Sequence, residues 1–132
     1  MMSLDPMLRP RSVAIVGASE RPGSVGDQTT RQLLSGGFGG EVFVVNPRYP
    51  TVHGIESRPS LNEVDSPVDL VVLAVANAQL ETEMEKAVTI GARSVAIFAS
   101  CHGEARSGGS LRDRLRSLAA EGSIPICNRC GI

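Results

Sequence analysis

The stretch Ser12-Val-Ala-Ile-Val-Gly17 and the ten or so residues after it constrain this chain more than any other segment. Val13–Val16 is an apolar run, mostly β-branched, that stops at Gly17. A loop of Gly, Ser, Arg and Pro follows, passes Gly23 and Gly26, and gives way to a helix-like segment from about Val25. A buried strand that feeds a glycine-rich turn into a helix N-terminus is how α/β proteins hold phosphorylated nucleotides. Free backbone N–H groups and the helix dipole both point at the anion, and glycine admits the backbone where a Cβ would block it. The feature predicts a nucleotide-like ligand without choosing among nucleotides.

The rest of the chain reads as alternating strands and helices. Gln28–Leu34 belongs to a helix that stops at Gly36-Gly37, and Glu41–Val45 is a second strand broken by Asn46-Pro47. A loop through His53-Gly54 leads to Ser60-Leu-Asn-Glu63, which has the pattern of a capping box on a short helical turn. Leu70–Val75 is a continuous apolar run, as expected of a central parallel strand covered on both faces. Gln79–Ile90 is a helix with Leu80, Met84, Ala87 and Val88 on one face, closed by Gly91. Ser94–Phe98 is a fourth strand, Leu111–Ala120 a helix with Leu111, Leu115 and Leu118 inward, and Ile124–Cys127 a last short strand. The pattern predicts an α/β fold: a Rossmann-like, doubly wound parallel sheet of about five strands with helices on both faces.

At 132 residues the chain is expected to be a single domain over 1–132. A net charge of -1 offers no field for nucleic acid or a membrane surface, and three Phe, one Tyr and no Trp give no stacking platform for single strands. The first eleven residues lack the apolar core of a signal peptide, and no apolar run approaches a membrane span. With three cysteines, a reducing cytoplasm is the expected setting. Cys127 and Cys130 have the spacing of a redox or metal pair, but no second pair or nearby His completes a zinc set, so the structural reading is favoured.

Ligands of such sheets sit beyond the carboxyl ends of the strands, at the topological switch point. That rule selects Gly17–Gly26, Asn46–Arg48, Val75–Asn77, Ala99–Glu104 and Cys127–Gly131. The spacing Gly17, Gly23, Gly26 is not G-x-G-x-x-G, and no carboxylate closes the second strand. Arg48 stands there instead, where it would attract a phosphate on the ribose, as in CoA or NADP, and count against NAD. A solvated Arg48 is an equally open reading.

Taken together, Arg11-Ser-Val-Ala-Ile-Val-Gly-Ala-Ser, Pro22-Gly-Ser-Val-Gly26 and Gly37-Phe-Gly-Gly-Glu-Val-Phe-Val-Val-Asn-Pro47 resemble a known domain. It is the N-terminal CoA-binding domain of the NDP-forming acyl-CoA synthetases, which also opens the succinyl-CoA ligase α subunit. Gly54, Ser60-Leu61, Val68–Val75, Gly91-Ala92 and Glu104 extend the resemblance from about Arg11 to Ile132. It implies a loop for the CoA pyrophosphate that begins at Gly17 and uses Ser19, Arg21, Pro22, Gly23, Ser24 and Val25. Pro47 and Arg48 match the adenosine-side contacts. Val75 and Ala76 match the edge lined by the third strand, Ser100 to Glu104 the segment after the fourth, and Asn128 a terminal asparagine. No residue of this chain matches the family's phosphorylated histidine.

Departures from the family pattern cluster on the thiol side. Val75-Ala76-Asn77, Ser100-Cys-His-Gly-Glu104 and Ile126-Cys127-Asn128 replace Val-Pro-Ala, Ala-Gly-Phe-x-Glu and Gly-Pro-Asn. A side chain at Cys101 in place of glycine is expected to crowd an approaching ligand. His53 is expected to be solvated, Arg112, Arg114 and Arg116 to form a solvated face with Asp113, and Glu104 to cap a helix or meet ligand. His102, beside Cys101, points away from it in an extended segment and is not expected to act as a base.

The resemblance implies that this chain binds and presents CoA, or acyl-CoA, while downstream ligase and ATP-grasp domains or a subunit carry out acid + CoA + NTP to acyl-CoA + NDP + phosphate. Its end at Gly131-Ile132 falls where the family's next domain would begin. A second reading is a stand-alone CoA-responsive regulatory or interaction module. A third, an NADP-dependent oxidoreductase domain, lacks room for a substrate domain.

Overall fold

A computed structural model describes residues 5–64, 67–106 and 108–128, and its organisation follows from one buried strand. β1 (Ser12–Val16) is buried along its whole length. It pairs in parallel with β2 (Glu41–Val45) on one side and β5 (Leu70–Leu73) on the other. A strand with neighbours on both edges and helices on both faces has no polar surface to show, hence its apolar run. Beyond β5 the sheet continues in parallel through β6 (Val95–Ile97) and β7 (Ile126–Asn128). Beyond β2 it continues through β4 (Ile55–Arg58), which pairs antiparallel with β3 (Thr51–Val52). The order is β3-β4-β2-β1-β5-β6-β7, a seven-stranded Rossmann-like sheet.

Two more strands exist than the sequence pattern predicts, and both come from the segment read as a loop. The β3–β4 hairpin turns on His53 and Gly54, with φ of 49° and 83°. Two successive residues at positive φ are the requirement of a tight type I′ turn. Only Val52 of this hairpin is fully buried, so it carries no run that periodicity could detect.

Side chains alternate across the sheet. Val13, Ile15, Val44 and Val72 pack on the face that carries helix α2 (Val25–Ser35), where Leu33 and Phe38 join them. Ala14, Val16, Val45, Val71, Leu73, Val95 and Ile97 meet α3 (Asn77–Thr89) and α4 (Leu111–Glu121) on the other. Leu80, Met84 and Leu115 are fully buried there, each stabilising the fold by about 1.5–3 kcal/mol relative to exposure. A short helix α1 (Asp5–Leu8) precedes β1.

Helix ends obey their sequence signals. Ser24 and Ser110 accept from the amides of Asp27 and Asp113 at 3.1 and 3.0 Å, capping α2 and α4. Ser60 likewise caps the 3-10 turn Leu61–Glu63. The reading of a solvated arginine face fails at Arg114. Its Nε lies 3.3 Å from Glu81 Oε2, where it joins Arg106 around a buried carboxylate of α3.

Candidate functional site

The chain leaves β1 toward β2 on one side, then returns across the sheet to β5 and continues the other way. The two exit loops at this switch diverge and leave a crevice between them. There lies a cleft of about 780 Å³, walled by the glycine loop, the β2 exit, the β5 exit and one side of α3.

Glycine lets the backbones that wall the cleft approach one another at two places. A Cβ on Gly17, which has φ +90°, would stand 2.2 Å from the Ala74 carbonyl oxygen. On Gly26 it would stand 2.0 Å from the Gly17 carbonyl oxygen. The two contacts set the closeness of the β1 and β5 exits and of the α2 N-terminus to the strand end. No other residue type fits either position.

Side chains then hold the loop in shape. Ser19 Oγ accepts from the Arg21 amide at 2.9 Å, and Ser24 Oγ donates to the Arg21 carbonyl at 2.8 Å. Asn46, at the end of β2, donates through Nδ2 to the Ala18 carbonyl at 2.8 Å and accepts from the Arg48 amide at 2.9 Å. One half-buried amide thus ties the loop to the β2 exit and orients Arg48. The first helical amides of α2, at Val25 and Gly26, have no acceptor within the helix, and both residues line the cleft.

Of the residues singled out from sequence, Gly17, Ser19, Arg21, Ser24 and Val25 line the cleft from the loop. Pro47 and Arg48 line it from β2, and Val75 and Ala76 from β5. Pro22 and Gly23 lie on the same loop, outside the cleft wall. Ser100 and Glu104 are not brought to the cleft. Ser100 Oγ accepts from Asn77 Nδ2 at 2.7 Å, and Glu104 is exposed and bridges to the backbone of Ser110. The backbone of Asn128 ends β7, while its side chain and residues 129–132 lie outside the described residues, as does Cys130 of the Cys127–Cys130 pair.

Two expectations are corrected. Cys101 does not crowd the cleft: at φ +61° it is 2% exposed and packs into the core under α3 and α4, its amide donating to Asn77 Oδ1 at 3.0 Å. Its backbone keeps the conformation that glycine would favour, and its side chain turns inward. His53 is not solvated but lies 2.8 Å from Asp27, with its side chain 24% exposed.

Sequence reasoning missed the α3 wall. Gln79, Thr82, Glu83 and Lys86 line the cleft, with Lys86 Nζ 3.2 Å from Glu83 Oε1. Their spacing is a helical stripe, but a polar stripe on an amphipathic helix looks like solvent-facing surface. The exposed aromatics Tyr49, in the β2–β3 connection, and Phe98, just beyond β6, also border the cleft. Among the described residues, no helix is long and apolar enough to cross a membrane.

Comparison with known proteins gives this geometry a family. An ADP-forming acetate–CoA ligase of Methanocaldococcus jannaschii is 29% identical over 117 residues, 89% of this chain and 16% of its own length. The dinucleotide-forming acetyl-coenzyme A synthetase 1 of Ca. Korarchaeum cryptofilum, solved with phosphate and ADP, superposes with a TM-score of 0.81 at 27% identity. That match covers 96% of this chain and 27% of the synthetase chain. A hypothetical protein of Pyrococcus horikoshii OT3 matches at TM-score 0.74 and 26% identity, over 96% of this chain and 82% of its own. The chain spans less than a fifth of the length of the first curated synthase and ligase relatives, 18% and 16%. The model of the CoA binding domain matches residues 11–132, and the chain belongs to that family, as a homologue of the N-terminal CoA-binding part of the ADP-forming acetate–CoA ligases.

Proposed function

We propose that the chain, as a single domain over residues 1–132, binds CoA in the β1–β5 cleft as the CoA-binding part of an NDP-forming acyl-CoA synthetase. The observation that carries this reading is the cradle at the α2 N-terminus. Gly17 and Gly26 let the β1 and β5 exits and the α2 N-terminus pack backbone against backbone, and Val25 and Gly26, at the start of the helix, line the cleft beside them. A pyrophosphate suits that donor set, because the helix dipole favours negative charge there. Ser19, Arg21, Pro22, Gly23 and Ser24 would form the rest of the phosphate loop. Pro47 and Arg48 would meet the adenosine side, with Arg48 toward a ribose phosphate. Val75 and Ala76 would guide the pantetheine arm along the β5 exit, with Ser100, Glu104 and Asn128 farther out.

CoA supplies the thiol on which such an enzyme forms its thioester. This chain's residues bind and orient it, while downstream ligase and ATP-grasp domains, or a separate subunit, would convert acid, CoA and NTP into acyl-CoA, NDP and phosphate. The only lysine, Lys86, is engaged with Glu83 on α3, so phosphoryl transfer is assigned to those further domains. The setting would be cytoplasmic. A second reading, a stand-alone CoA-responsive module, draws on the Pyrococcus horikoshii protein, most of which this one domain covers.

Calorimetric titration with CoA, dephospho-CoA, NAD and NADP tests the reading. CoA is expected to bind best. Loss of its 3′-phosphate, or Arg48→Ala, is expected to weaken binding by about fivefold, the worth of an exposed ion pair near 1 kcal/mol. The two losses should not add, since each removes the same contact. A preference for NADP, or no binding of CoA, overturns the proposal.

A further inference from the structure

The glycine loop carries two carboxylates that a phosphate site should not want. Glu20 lies on its outer limb, and Asp27 sits in the first turn of α2, 3% exposed. Ser19 and Arg21 on either side of Glu20 line the cleft, as do Ser24, Val25 and Gly26 before Asp27. Glu20 and Asp27 do not. Both are turned to the opposite side of the loop, and one residue of the β3–β4 hairpin meets them both. The backbone amide of His53 donates to Glu20 Oε1 at 2.8 Å, and its Nε2 lies 2.8 Å from Asp27 Oδ1. A carboxylate oxygen can only accept, which puts the hydrogen on Nε2. The other ring nitrogen, Nδ1, is 3.8 Å from Glu20 Oε1, and the second Asp27 oxygen is held by Arg31 at 3.1 Å.

We propose that His53 is a positioning residue for anion binding: its backbone amide holds Glu20 and its ring holds Asp27, one at each end of the phosphate loop, keeping both carboxylates away from the bound pyrophosphate. The inference rests on the function proposed above and explains why a short hairpin is folded against the loop. Without the imidazole the backbone amide still holds Glu20, but Asp27 loses its Nε2 partner and its carboxylate is free to turn toward the α2 N-terminus. A carboxylate within a few ångströms of the pyrophosphate then opposes binding directly.

The test uses four proteins: the unsubstituted chain, His53→Ala, His53→Gln and the double variant His53→Ala/Asp27→Asn. CoA affinity is measured by calorimetry and thermal stability alongside it. His53→Ala is expected to weaken CoA by about fivefold, the effect of one unit charge brought near the anion. His53→Gln keeps an N–H donor for Asp27 and should stay within about twofold of the parent chain. Asp27→Asn removes charge but keeps an acceptor, so it should recover most of the loss in the double variant. A purely structural role for His53 would lower stability without that recovery, and such a result overturns the proposal, as does an unchanged affinity in His53→Ala.

Hydrogen exchange in the ligand-free proteins separates this failure from failure of the CoA reading. Faster exchange of the Glu20–Gly26 amides in His53→Ala, restored in His53→Gln, supports the positioning role even where CoA does not bind. Unchanged exchange overturns it even where CoA does.

Discussion

Two segments leave the sheet at the carboxyl ends of parallel strands, and they have opposite fates. The segment after β1, Gly17–Gly26, opens onto the cleft, built on glycines and tethered by Asn46 of the neighbouring strand exit. The segment after β6, Ala99–Glu104, has its Ser100–Cys101 step held by Asn77 and its cysteine sunk in the core. The same topological rule nominated both, yet only the first lies at the point where the chain reverses its direction across the sheet. A strand's carboxyl end becomes a site when its neighbour's exit diverges from it, leaving backbone amides with nothing of their own to meet. Where the next exit runs the same way, its own side chains satisfy those amides.

The largest expected effect comes from filling the first segment. Gly26→Ala would place a Cβ 2.0 Å from the Gly17 carbonyl oxygen and 3.0 Å from its carbon, both backbone atoms unable to step aside. The α2 N-terminus must shift off β1, at a cost of about 3 kcal/mol, near the upper range for overpacking. Urea denaturation should show that loss, and CoA binding should fall with it. Retained stability would mean that the helix start is not seated on the strand end as described.

A matched pair sharpens the comparison. Asn46→Ala and Asn77→Ala each remove a side-chain amide with two partners at the strand exits: Ala18 and Arg48 for Asn46, Ser100 and Cys101 for Asn77. Each should cost about 1–2 kcal/mol of stability, because both leave polar groups to find new partners. Only Asn46→Ala should also weaken CoA, by about tenfold, since about 1.4 kcal/mol of loop ordering is then drawn from binding. If Asn77→Ala weakens CoA as much, the post-β6 segment belongs to the site after all.

A smaller effect, confined to acid, concerns how the second segment is pinned farther along. The backbone amide of Arg106 donates to Glu81 Oε1 at 2.7 Å and holds its carboxyl below the ordinary range; Arg114 adds to that, and burial opposes it. A carboxylate with a lowered folded-state pKa contributes stability above its unfolded value and loses it as pH falls through the folded one. Melting temperatures of the parent chain and Glu81→Gln should differ most near neutrality. The gap should close as pH drops below the ordinary carboxylate range of about 4.3. A gap that stays constant down to pH 3 would show that Glu81 does not titrate differently on folding.

What could be read in advance depended on whether a residue's role was local. β1 and β5 announce themselves because a strand covered on both faces must be apolar throughout, and Leu80, Met84, Leu111 and Leu115 because a helix repeats every turn. Gly17 and Ser24 could be placed on the cleft wall because strand–loop–helix is a contiguous pattern, and Arg48 because it follows the end of a parallel strand. The β3–β4 hairpin was not: two residues paired with a mostly polar strand carry no periodic signal. Nor was the meeting of His53 with Asp27, 26 positions apart in sequence, or of Arg114 with Glu81, 33 apart. The α3 wall of the cleft was visible only as a polar stripe, indistinguishable in one dimension from ordinary surface.

The smallest expected effect is the most discriminating for the second segment. Cys101 carries a side chain at φ +61°, where glycine would be unstrained, and that side chain is buried against α3 and α4. Cys101→Gly therefore gains about 1 kcal/mol by removing a left-handed non-glycine residue. It loses a comparable amount by emptying a buried position the size of a small hydrophobe. The two should nearly cancel, leaving stability within about 1 kcal/mol of the parent and CoA affinity unchanged. Denaturation and calorimetry read both quantities on one preparation. Markedly tighter CoA binding in Cys101→Gly would mean that the side chain does impede ligand, contrary to its inward packing. A large loss of stability would mean that the core under α3 and α4 depends on this one thiol more than its neighbours suggest.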